Sequence, residues 1–266
     1  MRKSVRATFG AFLRRDLQVA LSYRVPFVLE FAAIAFTVLT YTFVSKLISP
    51  DRVPGGYFAF VLLGMTVAAF MDAGVSVLGA NLRQEQVQGT LEALLASGVP
   101  VSGLASGMAA YPLVQSTWTA AIYLAIGWIA GARAGAEADW PLAFAAVLLG
   151  AVSFVGIGLI GAALVLLFRR AAAATGWMVA VLSLAGGEFF PPGLLPGWFR
   201  TLSVLSPFTQ TLRLTRAALL ESAGWASSAG RLGLLAAMAL VWVGLGVWAL
   251  TFGLHRARRT GSLSQY

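Results

Sequence analysis

Crossing a lipid bilayer as a helix takes roughly 20 consecutive, mostly apolar residues. Six stretches of this chain approach or exceed that length: 26–48, 57–82, 106–131, 140–168, 171–187 and 232–254. Hydrocarbon offers no hydrogen-bond partners, so each stretch must satisfy its backbone internally. The expected fold class is therefore an all-α integral membrane protein of six transmembrane helices. Only 11% of the residues are charged, against about 25% in a soluble domain.

The few charges carry orientation. The chain holds 19 Lys and Arg against 10 Asp and Glu. With both termini on the cytoplasmic side, twelve basic residues lie inside: Arg2, Lys3, Arg6, Arg14, Arg15, Arg24, Arg83, Arg169, Arg170, Arg256, Arg258 and Arg259. Seven lie outside, four of them in one long connection. This excess matches the positive-inside rule and predicts cytoplasmic termini. No basic face with interleaved stacking aromatics is present, so nucleic acid is not an expected partner. No apolar h-region precedes a cleavage site in the first 24 residues, so the first span is read as an uncleaved insertion signal.

Three segments stand apart from the spans. Residues 1–25 read as an amphipathic helix lying in the membrane interface. Phe9, Phe12, Leu13, Ala20 and Leu21 line one face, and Arg6, Arg14, Arg15, Gln18 and Arg24 lie largely elsewhere. Residues 83–100 form a polar island between two spans. Gly89 breaks the preceding helix, Thr90 can cap a new one, and Gly98 with Pro100 end it. Leu91, Leu94 and Leu95 share one face of that short helix. It reads as a docking element for a partner protein. Either the leucine face or Glu85 and Glu92 could make the contact.

The third segment, 188–231, is too apolar for a free loop and too broken for a span. Glu188, Phe189, Phe190 and Pro191 are followed by Pro192, Gly193, Leu194, Leu195, Pro196 and Gly197. Prolines stop a helix and glycines turn it. Such backbone survives at membrane depth only when buried in protein or lining a cavity. Residues 188–206 are therefore read as an outer re-entrant hairpin, a gate or lid. A helix over 208–220 follows, with Arg213 and Arg216 on adjacent turns. The domain reading is an interfacial helix at 1–25, a transmembrane domain at 26–254 and a cytoplasmic tail at 255–266.

Several chemistries are missing. There is no cysteine, which removes disulfides and thiol catalysis. Neither lysine, Lys3 or Lys46, follows a glycine, so no phosphate-binding P-loop exists. His255 is the only histidine; zinc chemistry and a Ser/His/Asp triad have too few parts. No catalytic or metal-ligating residues are expected, and no cofactor bound by this chain. Carboxylates inside spans count as functional candidates by default. Asp72 is deep in the second span, and Glu188 opens the hairpin. Glu30, near the inner end of the first span, is expected to pair with Arg24 or another inner basic group. Gly156, Gly158 and Gly161 are read as sites of close helix packing.

Three of these segments resemble the type 2 ABC exporter permeases, the membrane subunits of ATP-driven export systems. Residues 85–100, with Gly89-Thr90-Leu91-Glu92-Ala93-Leu94-Leu95 and Pro100, look like that family's cytoplasmic loop between spans two and three. Phe189-Phe190-Pro191 through Leu195-Pro196-Gly197-Trp198 is similar to its outer re-entrant region. Ser206-Pro207-Phe208-Thr209 with Arg213 to Leu220 resembles the stretch before its last span, with Phe208 in place of a frequent leucine.

The resemblance implies that 85–100 is a coupling helix seated on a separate ATP-binding cassette subunit, with Phe12 and Arg15 of the N-terminal helix packing on the same subunit. The contact set would be Glu85, Gly89, Thr90, Leu91, Glu92, Leu94, Leu95 and Pro100. Gate or path residues would be Asp72, Glu188, Phe189, Phe190 and Pro191. Two ATP-binding subunits would carry ATP and Mg. A second permease chain, identical or homologous, would complete the path in a bacterial or archaeal cytoplasmic membrane. The cargo would be amphipathic, lipid-linked or drug-like. The competing readings are a secondary transporter or channel without an ATPase, which would rely on Asp72 and Glu30, and a membrane-embedded lipid transferase, for which no carboxylate or histidine cluster is found.

Overall fold

The computed structural model describes residues 5–22, 24–48, 54–96, 99–132, 135, 137–167, 172–191, 193 and 195–260. Gly98, Arg169, Arg170, Pro192 and Leu194 lie outside the described residues, as do the side chains of Leu21, Arg24 and Glu92. The described residues are all-helical, with no strand. In chain order the helices are α1 Val5–Ser22, α2 Arg24–Ser45, α3 Gly56–Asp72, α4 Leu78–Val87, α5 Thr90–Ala96, α6 Val101–Ile129, α7 Trp140–Leu167, α8 Ala172–Gly186, α9 Gly197–Val204, α10 Pro207–Leu220 and α11 Trp225–Thr260. A π-helical turn at Ala73–Val77 joins α3 to α4 without a break.

Among the described residues, four stretches are long and apolar enough to cross a membrane: Phe27–Ser45, Gly56–Val87, Trp140–Leu167 and Trp225–Ala257. The chain is an integral membrane protein. The 29-residue α6 carries Tyr111, Gln115, Ser116, Thr117 and Thr119 along its length. The α8 helix is a shorter apolar element of 15 residues. The α3–α4 helix and α11 outrun the apolar runs that predict them. Once a helix leaves hydrocarbon, water satisfies its polar side chains and the backbone ladder simply continues. The 32 residues of Gly56–Val87 span roughly 48 Å, against about 30 Å of hydrocarbon. This helix is therefore longer than the hydrocarbon is thick.

The α3–α4 helix is the centre of the bundle. Its apolar window is 72% buried within the chain, against 11% for α2 and 17% for α11. The outer two helices turn their apolar faces away from the chain. What brings α7 onto the central helix is the absence of side chains at the crossing. A Cβ on Gly158 would sit 1.7 Å from the Gly74 carbonyl oxygen, and a Cβ on Gly74 would sit 2.7 Å from Phe154 Cβ. On its other side α7 meets α11 in the same way. A Cβ on Gly246 would lie 2.3 Å from the Gly156 carbonyl oxygen. Backbone-to-backbone packing of this kind is how helices gain contact in lipid, where burial alone provides little drive. The packing role expected of the α7 glycines is what the structure contains.

The segment after α8 turns sharply at Gly187, whose φ is +78°. It leads through Glu188, Phe189 and Phe190 to α9 and then to α10, nearly all of whose residues are buried. Arg216 of α10 is 7% exposed. Its Nη1 donates to the Gly187 carbonyl at 2.9 Å and its Nη2 to the Glu188 carbonyl at 3.0 Å. Nε and Nη2 donate to the Phe60 carbonyl of α3 at 3.2 and 2.9 Å. One guanidinium thus ties α10, the turn after α8 and the start of α3 together. Gly64 leaves the room for it, since a Cβ there would lie 2.4 Å from the Glu188 carbonyl oxygen.

Gly158→Ala should push α7 off the central helix, at a cost on the scale of core overpacking, about 1–3 kcal/mol. Gly244→Ala in α11, where a Cβ meets nothing within 4 Å, should be silent. Thermal melting of the purified chains in detergent separates the two; matching melting temperatures would contradict the crossing.

Candidate functional site

The polar island is built on the end of α4. Residue Gly89 takes a φ of +71°, a left-handed conformation that glycine adopts without strain, and the chain reverses into α5. Leu91 is 1% exposed. It packs with Leu78 and Leu82 of α4, Leu104 and Met108 of α6 and Phe12 of α1, in a cluster that continues into α7 and α11 through Leu159, Leu166 and Leu250. Leu94 and Leu95 are partly buried against the same cluster. Phe12 is 6% exposed and seats α1 on α6 at Gly107, where a Cβ would come within 2.8 Å of its ring.

The leucine face of α5 is thus spent on this chain's own core. The same holds for Phe12, so neither Phe12 nor Leu91 offers its side chain at the surface. What remains outward is a row of small and polar groups: Val87, Gln88, Gly89, Thr90, Ala93 and Ala96, all exposed.

Glu85 holds the turn. It is 7% exposed, and its Oε1 lies 2.9 Å from Arg15 Nη1 of α1. Its Oε2 accepts a short hydrogen bond from the Thr90 hydroxyl, which also lies 3.2 Å from the Glu85 carbonyl oxygen. Arg15 Nε bonds Asp16 Oδ1 at 2.8 Å, and the guanidinium lies 4.9 Å over the Phe12 ring. Burial acts to lower the Arg15 pKa, but the hydrogen bonds and charges of Asp16 and Glu85 outweigh it and hold the group above its ordinary value. One carboxylate therefore fastens α1 to the first residue of α5. Thr90 is the first residue of α5, and its hydroxyl donates backward across the turn to Glu85.

The remaining candidates fall into two places. Glu188 is buried, and its carboxylate accepts from the Ser183 hydroxyl. Phe189 stacks on Tyr41 of α2, ring centroids 5.4 Å apart, and Phe190 and Pro191 are half-buried. These residues surround the Arg216 clasp. Phe60 at that clasp and Glu85 at the island lie on one continuous helix, roughly 37 Å apart along its axis. Between the two ends, Asp72 opens the π-helical turn and is exposed. Π-turns inside helices cluster at functional positions.

Glu30 of α2 faces α6. Thr119 Oγ1 donates to its Oε1 at 2.7 Å and Gln115 Nε2 to its Oε2 at 3.2 Å. No basic side chain lies within ion-pair distance of it among the described residues. The expected partner Arg24 sits six residues earlier on the same helix, and its side chain lies outside the described residues. Arg216 is the functional group that sequence reasoning left without a role. Its signal was an arginine, one of two with Arg213, in a short helix whose other residues carry no charge. Among the described residues, no three His, Cys, Asp or Glu side chains are placed to hold a metal ion.

Two comparisons bear on this arrangement. A family model described as "ABC-2 type transporter" matches residues 8–220, from α1 through the end of α10. No curated protein matches the chain.

Replacing Glu85 by Ala should release both Arg15 and Thr90. The loss is on the scale of hydrogen bonds to a charged group, about 1.5–3 kcal/mol. Amide hydrogen exchange should rise selectively over 88–96. Exchange unchanged there would show that Glu85 does not hold the turn.

Proposed function

The chain belongs to the ABC-2 type transporter family, an ABC transporter permease, and from that premise we propose that α5 is the element through which a separate ATP-binding subunit drives it. The observation that carries this reading is the division of labour on α5. Its leucines are locked into the core shared by α1, α4, α6, α7 and α11, while Gly89, Thr90, Ala93 and Ala96 face outward at the end of a helix too long for the bilayer. A small, flat face suits insertion into a groove of another protein, and the leucine core is what would carry its displacement inward.

Glu85 contributes through Arg15 and Thr90, so that α1 and α5 move as one body. Leu94, Leu95 and Pro100 support the far side of the loop, and Glu92 completes it. ATP and Mg reside on the partner, since this chain has no P-loop lysine. Two such subunits work on two permease chains, each contributing six spans. In this reading α6 and α8 also cross: α6 has the length, and α8 continues into the turn at Gly187. Both termini are cytoplasmic in a bacterial or archaeal inner membrane. At the far end, 188–206 form a re-entrant hairpin held shut by Arg216. Cargo is exported between the two chains, past Asp72 and then the gate residues Glu188, Phe189, Phe190 and Pro191.

The test places a bulky charge on the outward face alone. Ala93→Arg should abolish capture of the ATP-binding subunit from native membranes, and with it coupled ATP turnover, at an unchanged melting temperature. Leu91→Arg should instead lower the melting temperature. An Ala93→Arg chain that still captures the ATPase and transports would remove α5 as the docking element.

A further inference from the structure

Glu30 lies one turn inside the apolar stretch Phe27–Ser45, where a charge is costly to insert. Its two recorded hydrogen bonds come from neutral donors, Thr119 and Gln115. They fix the direction of the carboxylate. Position 30 also marks a junction of three cavities. A groove of about 280 Å³ between α2 and α6 is walled by Phe27, Val28, Phe31, Trp118 and Ile122, with Glu30 as its only charged group. A cleft of about 160 Å³ joins Glu30 to Asp72. A polar cleft of about 570 Å³ runs from Glu30 to Asp16 and Glu85.

The periodicities explain the arrangement. Phe27, Glu30 and Phe31 recur at i, i+3 and i+4 on one face of α2, and Gln115, Trp118 and Thr119 do so on α6. Aromatic walls and a carboxylate with no ion-pair partner among the described residues therefore meet in the groove between α2 and α6.

We propose that this junction binds a hydrophobic amine, its ammonium donating to the Glu30 carboxylate and its apolar body lying in the Phe27–Phe31–Trp118 groove. An ammonium with N–H groups matches an acceptor-only carboxylate in a charge-assisted hydrogen bond, and aromatic faces attract a cation at close range. A zwitterionic lipid fits worse. Its phosphate would enter clefts that also hold Asp16, Asp72 and Glu85, and the one guanidinium there, Arg15, is already paired with two of them. The inference rests on the permease reading only in treating this ligand as cargo; the binding itself requires no ATPase.

The probe is monodansylcadaverine, a naphthyl sulfonamide ending in a primary ammonium, with its neutral N-acetyl derivative as the matched control. With the full chain in phosphatidylcholine nanodiscs, and empty discs subtracted, the amine should give saturable, blue-shifted dansyl emission. Glu30→Gln should bind it about tenfold more weakly, the scale of one charge-assisted hydrogen bond. The acetylated probe should bind the unaltered chain no better than the amine binds Glu30→Gln. Doping the discs with phosphatidylethanolamine should leave the amine's affinity unchanged.

Equal binding by Glu30→Gln, equal binding of the acetylated probe, or displacement by phosphatidylethanolamine would each overturn the proposal, the last by making the lipid the occupant. The acetylated arm uses the unaltered chain and so decides the matter even if Glu30→Gln misfolds. Probe binding should survive Ala93→Arg, so a failure here and a failure of the docking face are separable.

Discussion

A buried cation that meets backbone carbonyls organises one end of this protein. Arg216 donates to carbonyls from three positions, Phe60, Gly187 and Glu188, and its guanidinium carbon lies 3.4 Å from the Phe60 ring centroid. Carbonyls freed by a non-helical turn are expensive in a low-dielectric interior. The guanidinium meets that demand with a planar fork of five donors, which a lysine could not match. The turn at Gly187 can therefore leave α8, and α10 can pack as a buried helix against α3 and α7. Gly64 belongs to the same device, because any side chain there would strike the Glu188 carbonyl.

From that clasp a single rigid element leads to the island. The α3–π–α4 helix carries Phe60 near one end, Asp72 at its π-turn and Glu85 near the other. It is gripped along its length by α7 at the Gly74–Gly158 crossing. Helices in backbone contact shift together rather than slide freely, because a packed core has few alternative arrangements. The two ends of the molecule are thus joined by one helix. The lateral groove at Glu30 opens beside the π-turn, the one place where that helix departs from regular geometry.

Much of this was legible in residue order. Length and hydropathy locate the long helices, since hydrocarbon permits little else. Gly89 and Thr90 mark the break and the start of α5, because a left-handed turn and a helix start each restrict residue choice. Glycine spacing in α7 announced a close crossing. The partners were not legible. Glu85 meets Arg15 across the whole of α2 and α3 and most of α4, and Glu30 meets Gln115 and Thr119 of α6. Arg216 read as one more outer charge, because nothing local reveals which carbonyls a turn leaves unpaired.

The direction of the α5 helix faces shows the same divide. Periodicity places Leu91, Leu94 and Leu95 on one side and is silent on what that side touches. An apolar stripe suits a partner's groove and the chain's own core equally well. By itself the sequence determined that this is a helical membrane protein with a short polar helix between two longer ones, because those features follow from local hydropathy and turn chemistry. Only the tertiary structure decided that the leucines face inward, that Glu85 binds α1 to α5, and that Arg216 holds the turn after α8. Each of those depends on which distant segments come within hydrogen-bond or van der Waals reach.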